Sequence, residues 1–286
     1  MNQALPRAQD SVHWYHKLVA APLQLLAAAD LGPLGGDNSI SAVIEAVLMQ
    51  KRGETITFPL SKTDTFFVKQ LTGQTIPDEM LEYRELNHEA QREILRRRGA
   101  GNMVVIWLGA GVFTLEHPLL AEKRPFDWHI WTDASPRVVS NAKQLFDEML
   151  AKGQSGNISH HVTLPHHIDR LNHLIELTAF DTSELVIMGY GLTYALTMAE
   201  NQSWLHQLAI PAGRKTSFVF NAPAAKIPML PAIMAAFHEQ RMVHYDRHHI
   251  EALFSTMPTA KVVWEKPREA TRNQMWATWL IEVNAD

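Results

Sequence analysis

The chain contains no cysteine, which excludes disulfides, thiolate metal centres and a cysteine nucleophile, and which fits a reducing compartment. It also lacks any run of about 18 uncharged apolar residues, the length that spans a bilayer. Its first residues, "MNQALPRAQDSVHWYHK", lack the basic start and apolar core of a secretory signal. These absences predict a soluble cytoplasmic protein with no membrane partner. Acids only slightly outnumber bases: the formal net charge is −4, with the two signs interspersed. With no broad basic face for a phosphate backbone, nucleic acid is not an expected partner. The one basic cluster, "REILRRRGAG", reads as the solvated end of a helix. Repeats and low-complexity segments are absent as well.

What is present is 286 residues, enough for one large domain, or for one domain with a sizeable extension. The texture changes near residue 100. Before it, "SVHWYHKLVAAPLQLLAAADLG" and "SISAVIEAVLMQKRG" each have a Ser start, periodic apolar positions and a Gly stop. "LSKTDTFFVKQLTG" and "PDEMLEYRELNHEAQREILRRRG" add two more helices. Residues 1–99 are therefore expected to form a helical extension, or lid, that packs on the rest of the chain. From residue 100 to 286 strands and helices alternate: "MVVIWLGAG", "DWHIWTDA", "ISHHVTL", "ELVIMGYG" and "TSFVFNAP" read as strands with helical stretches between them. "KVVWEKP" and "MWATWLIEV" close the chain as a hairpin at the sheet edge. Short apolar strands alternating with helices predict a Rossmann-like α/β fold, its mostly parallel sheet covered by helices on both faces. Ligands in such sheets bind beyond the carboxyl ends of the strands, where strand order reverses.

Two strand ends stand out. Gly109 and Gly111 in "VVIWLGAGVFTLEHPLL" allow a sharp turn that brings backbone amides close to a ligand. A dinucleotide fingerprint needs a third glycine three residues on, and that position is Thr114. The next strand ends in Asp133, whose carboxylate suits the two hydroxyls of a ribose. An aspartate there is equally suited to capping the helix that begins near Pro136. A nucleoside without pyrophosphate matches the pair better than a dinucleotide does.

The five histidines of "SHHVTLPHHIDRLNH" do not read as a metal site. His160 and His161 are adjacent on a strand and point to opposite faces, and no pair on one helical face has a supporting carboxylate. "HEQRMVHYDRHH" reads as a solvated connection.

In order and spacing, "VVIWLGAGVFTLEHPLL", "WTDASPRVVSNAK" and "ELVIMGYGLTYALTMAENQSWLHQLA" resemble class I S-adenosylmethionine-dependent methyltransferases. Within that superfamily the likeness is nearest to the leucine carboxyl methyltransferase group. It covers about residues 100 to 222 and implies a seven-stranded sheet with an antiparallel last strand. It further implies that Gly109, Ala110 and Gly111 contact the methionine part of S-adenosylmethionine and that Asp133 holds the ribose. Leu164 to His167, with His166 among them, would flank the adenine, and Gly189, Tyr190 and Gly191 would lie beside the sulfonium. The chain departs from the group at two places. Phe113, Thr114 and Leu115 stand where the group has an acid, a threonine and a carboxylate-binding arginine, and Tyr190 stands where it commonly has glutamate.

Tyr190, with a π face and a hydroxyl, is a catalytic candidate or else a packing residue. Tyr15, between Trp14 and His16, belongs either to a lid over the pocket or to an amphipathic packing face. Asn221 in "FVFNAP" is a candidate for the pocket wall, and His166 or His167 for a general base. The resemblance implies methyl transfer to a small metabolite. Two alternatives stay open: cyclisation of S-adenosylmethionine itself to azetidine-2-carboxylate and methylthioadenosine, and a catalytically silent nucleoside-binding or partner subunit.

Overall fold

The computed structural model describes residues 40–51, 53–72, 78–111, 117–122, 127–133, 136–151, 157–162, 168–178, 183–189, 196–223, 244–271 and 276–284. Three helices precede the sheet: α1 (Ile40–Lys51), α2 (Lys62–Thr72) and α3 (Asp78–Arg97). The stop expected at "KRG" is built as read. Gly53 takes φ +74° and donates to the Gln50 carbonyl, while Glu54 N–H reaches back to Met49, the paired bonds of a Schellman cap. At the start of α2, Ser61 Oγ accepts the Asp64 N–H and Asp64 accepts the Ser61 N–H, both at 2.9 Å, a reciprocal cap. The helix expected from "SVHWYHKLVAAPLQLL" lies outside the described residues.

The sheet then follows in alternation: β1 (Met103–Trp107), α4 (Pro118–Ala121), β2 (Trp128–Asp133), α5 (Pro136–Ala151), β3 (Asn157–Val162), α6 (Ile168–Leu177), β4 (Glu184–Met188), α7 (Met198–Gln207), β5 (Thr216–Pro223), α8 (Arg247–Leu253), β6 (Lys261–Lys266) and β7 (Trp276–Val283). Its seven strands lie in the order β3-β2-β1-β4-β5-β7-β6. The first five are parallel, and β7 runs antiparallel between β5 and β6. The terminal hairpin and the mostly parallel seven-stranded sheet are those expected. The order reverses between β1 and β4, so the carboxyl ends of these neighbours open the crevice where such sheets take ligands.

Alternation along the strands divides the core. Val104 and Ile106, with Ile187, Phe218 and Phe220, face Leu171 and Ile175 of α6 and Trp204 of α7. Met103, Val105 and Trp107 face the other way, onto Ala90 and Ile94 of α3 and Phe146 of α5. Helix α3 thus shares a core with the sheet. Its two ends are fixed on β7: the Tyr83 ring packs 4.4 Å from that of Trp276, and Arg97 Nε donates to Glu282 at 2.8 Å. The intervening helix and strand segments both span about 20 Å at ordinary rise, which is why the two run side by side without a kink.

The "RRR" cluster is corrected in part. Arg96 is exposed beside Glu93 as a solvated helix end should be, but the Arg98 side chain is only 1% exposed and paired with Asp127. "MVHYDRHH" is corrected at Tyr245. Its ring is buried, and its hydroxyl donates to the Leu196 carbonyl at 2.6 Å while accepting from Asn201 at 2.8 Å. Burial pushes that phenol up to about 12, so it stays a donor. Among the described residues no helix is long and apolar enough to cross a membrane.

Candidate functional site

At the carboxyl end of β1 the chain folds back over β2. Leu108 N–H continues the ladder to the Met188 carbonyl at 2.9 Å, and Ala110 N–H donates to Thr132 at 3.0 Å. Between and after them, Gly109 and Gly111 take φ +59° and +63°, the left-handed region where a Cβ costs about 1–2 kcal/mol. That is why two glycines alternate with a small buried alanine. The Thr132 hydroxyl donates to the Trp107 carbonyl at 2.8 Å, which locks the two strand ends together.

Asp133 is the last residue of β2. Its Oδ2 accepts the Gly111 N–H at 3.0 Å, and the Gly111 carbonyl accepts the Trp131 indole N–H at 2.9 Å. The carboxylate expected to bind a ribose is therefore oriented by the glycine turn expected to approach the same ligand. Helix α5 begins three residues on, at Pro136. The bond from Gly111 fixes the direction of the Asp133 carboxylate. Just past β4, Gly189 is buried and donates to the Val219 carbonyl at 3.0 Å, so it stands at the neighbouring strand end on the same edge of the sheet.

Asn221 lies on β5, 1% exposed. Its Nδ2 donates to Thr278 Oγ1 of β7 at 2.8 Å, so the amide serves a cross-strand bond beneath the strand ends. Tyr15, Leu164, His166, His167, Tyr190 and Gly191 lie outside the described residues, as do Phe113, Thr114 and Leu115. Among the described residues no three histidine or carboxylate side chains converge as a metal site would require.

One feature beneath the turn has no counterpart among the sequence motifs. Register pairs Trp107 with Trp131, with ring centroids 5.1 Å apart, and the His117 ring packs 4.8 Å from that of Trp107. Trp107 Nε1 donates to His129 Nδ1 at 3.3 Å. Burial holds the His129 imidazole neutral, its pKa pushed down to about 4; the attraction of Asp127 opposes this and the repulsion of Arg98 adds to it. The legible signal was the tryptophan near the end of each of two adjacent parallel strands, since equal register puts both on one face.

No family model matches the sequence, and no curated protein does. Solved structures match at low identity. A Thermobifida fusca protein provisionally named a methyltransferase superposes with a TM-score of 0.60 at 14% identity, over 87% of this chain and 96% of that one. The CurJ carbon methyltransferase superposes at 0.55 and 13%, over 93% of this chain and 71% of that one. A DUF574 family protein from Streptomyces avermitilis superposes at 0.54 and 12%, over 86% and 98%. Likeness at this level is likeness of fold, and the strand order agrees with it: the chain has a Rossmann-like methyltransferase fold.

Proposed function

We propose that the protein binds S-adenosylmethionine across the carboxyl ends of β1, β2 and β4 and transfers its methyl group to a small molecule. The observation that carries this reading is the bond from Gly111 N–H to the Asp133 carboxylate at 3.0 Å, which puts a tight glycine turn and an oriented acid at the point where strand order reverses. In this reading Asp133 takes the ribose hydroxyls, Gly109 to Gly111 the methionine part, Leu164 and His166 the adenine edge, and Gly189 to Gly191 the sulfonium side, with Tyr190 nearest the departing methyl. Tyr15 and the rest of residues 1–99 help close the site, which favours methyl transfer because aligned reactants shielded from water need little else. The nearer kinship to the leucine carboxyl methyltransferase group, without its carboxylate-binding arginine, belongs to the same proposal.

Calorimetric titration with S-adenosylhomocysteine tests it. The protein should bind, and Asp133→Ala should weaken binding by about 2 kcal/mol, roughly thirtyfold, the loss expected for hydrogen bonds to a charged acceptor. Absence of heat with the unaltered protein would overturn the reading. Incubation with S-adenosylmethionine alone tests the chemistry, because methylthioadenosine appearing with a cyclic amino acid would replace methyl transfer by cyclisation.

A further inference from the structure

Two buried side chains hold the backbone on either side of residues 112 to 116, the segment that leaves the glycine turn. Upstream, Trp131 of β2 donates to the Gly111 carbonyl at 2.9 Å. Downstream, Gln91 of α3 accepts the Leu119 N–H through Oε1 at 3.3 Å and sets its Nε2 3.1 Å from His117 Nδ1. Gln91, His117, Leu119 and Trp131 are each 2% exposed or less, so water is not at hand to replace any of these bonds.

The orientation of the Gln91 amide is forced. A backbone N–H only donates, so the atom facing Leu119 is the amide oxygen, and the atom facing His117 is the NH₂. His117 Nδ1 must then be the acceptor, which makes the ring neutral with its proton on Nε2. Protonating Nδ1 would set N–H against NH₂. Turning the amide over would set NH₂ against the Leu119 N–H instead. Either way a hydrogen bond in a dry site is lost. Among the described residues, the titratable rings around His117 are His88 of α3, 5.6 Å away, and His129 of β2, which packs 6.1 Å from Trp107. The Asp127 and Arg98 charges act on His129.

We infer that Gln91 and His117 form a pH-sensitive positioning latch, which, with Trp131, sets the glycine turn for its ligand and is released when His117 gains a proton. The latch rests on the proposed binding of S-adenosylmethionine. Because Gln91 belongs to α3, it also ties the helical region before the sheet to the cofactor turn.

The test is titration of the unaltered protein, Gln91→Met, Gln91→Glu and Trp131→Phe with S-adenosylhomocysteine between about pH 8 and about pH 5.5. Amide and imidazole nitrogen spectra of the ligand-free proteins accompany it. The unaltered protein should bind best at the alkaline end and weaken on acidification. Gln91→Met should bind about tenfold more weakly at pH ~8, without the part of the pH dependence that His117 supplies. Gln91→Glu should invert that dependence: an ionised Glu faces the His117 lone pair at high pH and gains an ion pair as the ring protonates. A merely structural role would lower stability without inverting the profile. Trp131→Phe keeps the aromatic packing, removes the upstream bond, and should weaken binding several-fold. Unaltered affinity and pH profile in both Gln91 variants would overturn the latch and leave the cofactor reading standing. No heat from the unaltered protein would overturn the cofactor reading, and the spectra would then decide the latch. Gly111 and Leu119 amides unmoved by both Gln91 variants would overturn it; shifted amides, with His117 Nδ1 unprotonated in the unaltered protein, would support it.

Discussion

Asp127→Ala should destabilise the fold by about 3–5 kcal/mol, the cost of leaving a buried charge without its partner. The carboxylate joins three segments. Arg98, just past the end of α3, donates to Asp127 through both terminal guanidinium nitrogens, at 2.6 Å to Oδ2, and also to the Gly101 carbonyl at 3.0 Å. The first residue of β1, Met103, donates its N–H to Oδ1 at 2.9 Å. Asp127 itself immediately precedes β2. With side chains 1% and 4% exposed, neither charge can turn to water when the other is removed. Arg98→Met should cost a similar amount, because a buried carboxylate is then left with one backbone donor. The double variant Arg98→Met, Asp127→Leu should recover much of the loss, since an apolar pair of similar volume carries no desolvation penalty. Urea denaturation of the four proteins checks this, and additive losses would show that the two residues act separately.

The contrast between this pair and the glycine turn explains what could be read from the residues. The sheet was legible because its causes are local. Apolar runs, glycine stops and the hairpin at the end of the chain each act within a few residues, and the turn at Gly109 and Gly111 carries its own conformational requirement. The nearness of Asp133 to the glycine turn was legible because neighbouring strand ends in such a fold converge. The Arg98–Asp127 pair spans 29 residues, Gln91–His117 spans 26 and Asn221–Thr278 spans 57, so none leaves a pattern along the chain. Arg98 read as solvated because its two arginine neighbours resemble it in type, although only Arg96 is solvated: Arg97 lies over Glu282 of β7 and Arg98 is buried on Asp127. Asn221 was expected to wall the pocket because it stands near a strand end. Register, which a sequence does not display, places it opposite a threonine that takes its amide.

Stability should fall as the pH drops from about 6.5 to about 4, and His129 should account for about 3 kcal/mol of the fall. In the folded protein burial pushes this imidazole down to about 4 from an ordinary 6.5, and its Nδ1 must keep a lone pair for the Trp107 indole N–H. Between those two values the unfolded chain carries a proton on His129 that the folded chain does not. Stability therefore rises with pH through the window, is complete above it, and is lost on acidification at up to about 1.4 kcal/mol per pH unit. His129→Gln offers an amide oxygen to the same indole and has no proton to gain. The variant should be less stable than the unaltered protein near pH 7, where reshaping the packing around Trp107 is its main effect. Below about pH 6 its stability should fall less steeply, so the two curves converge or cross. The other histidines are common to both proteins and cancel in the difference. Denaturation midpoints measured from about pH 7 to about pH 4.5 decide it, and parallel curves would show that His129 keeps its proton on folding.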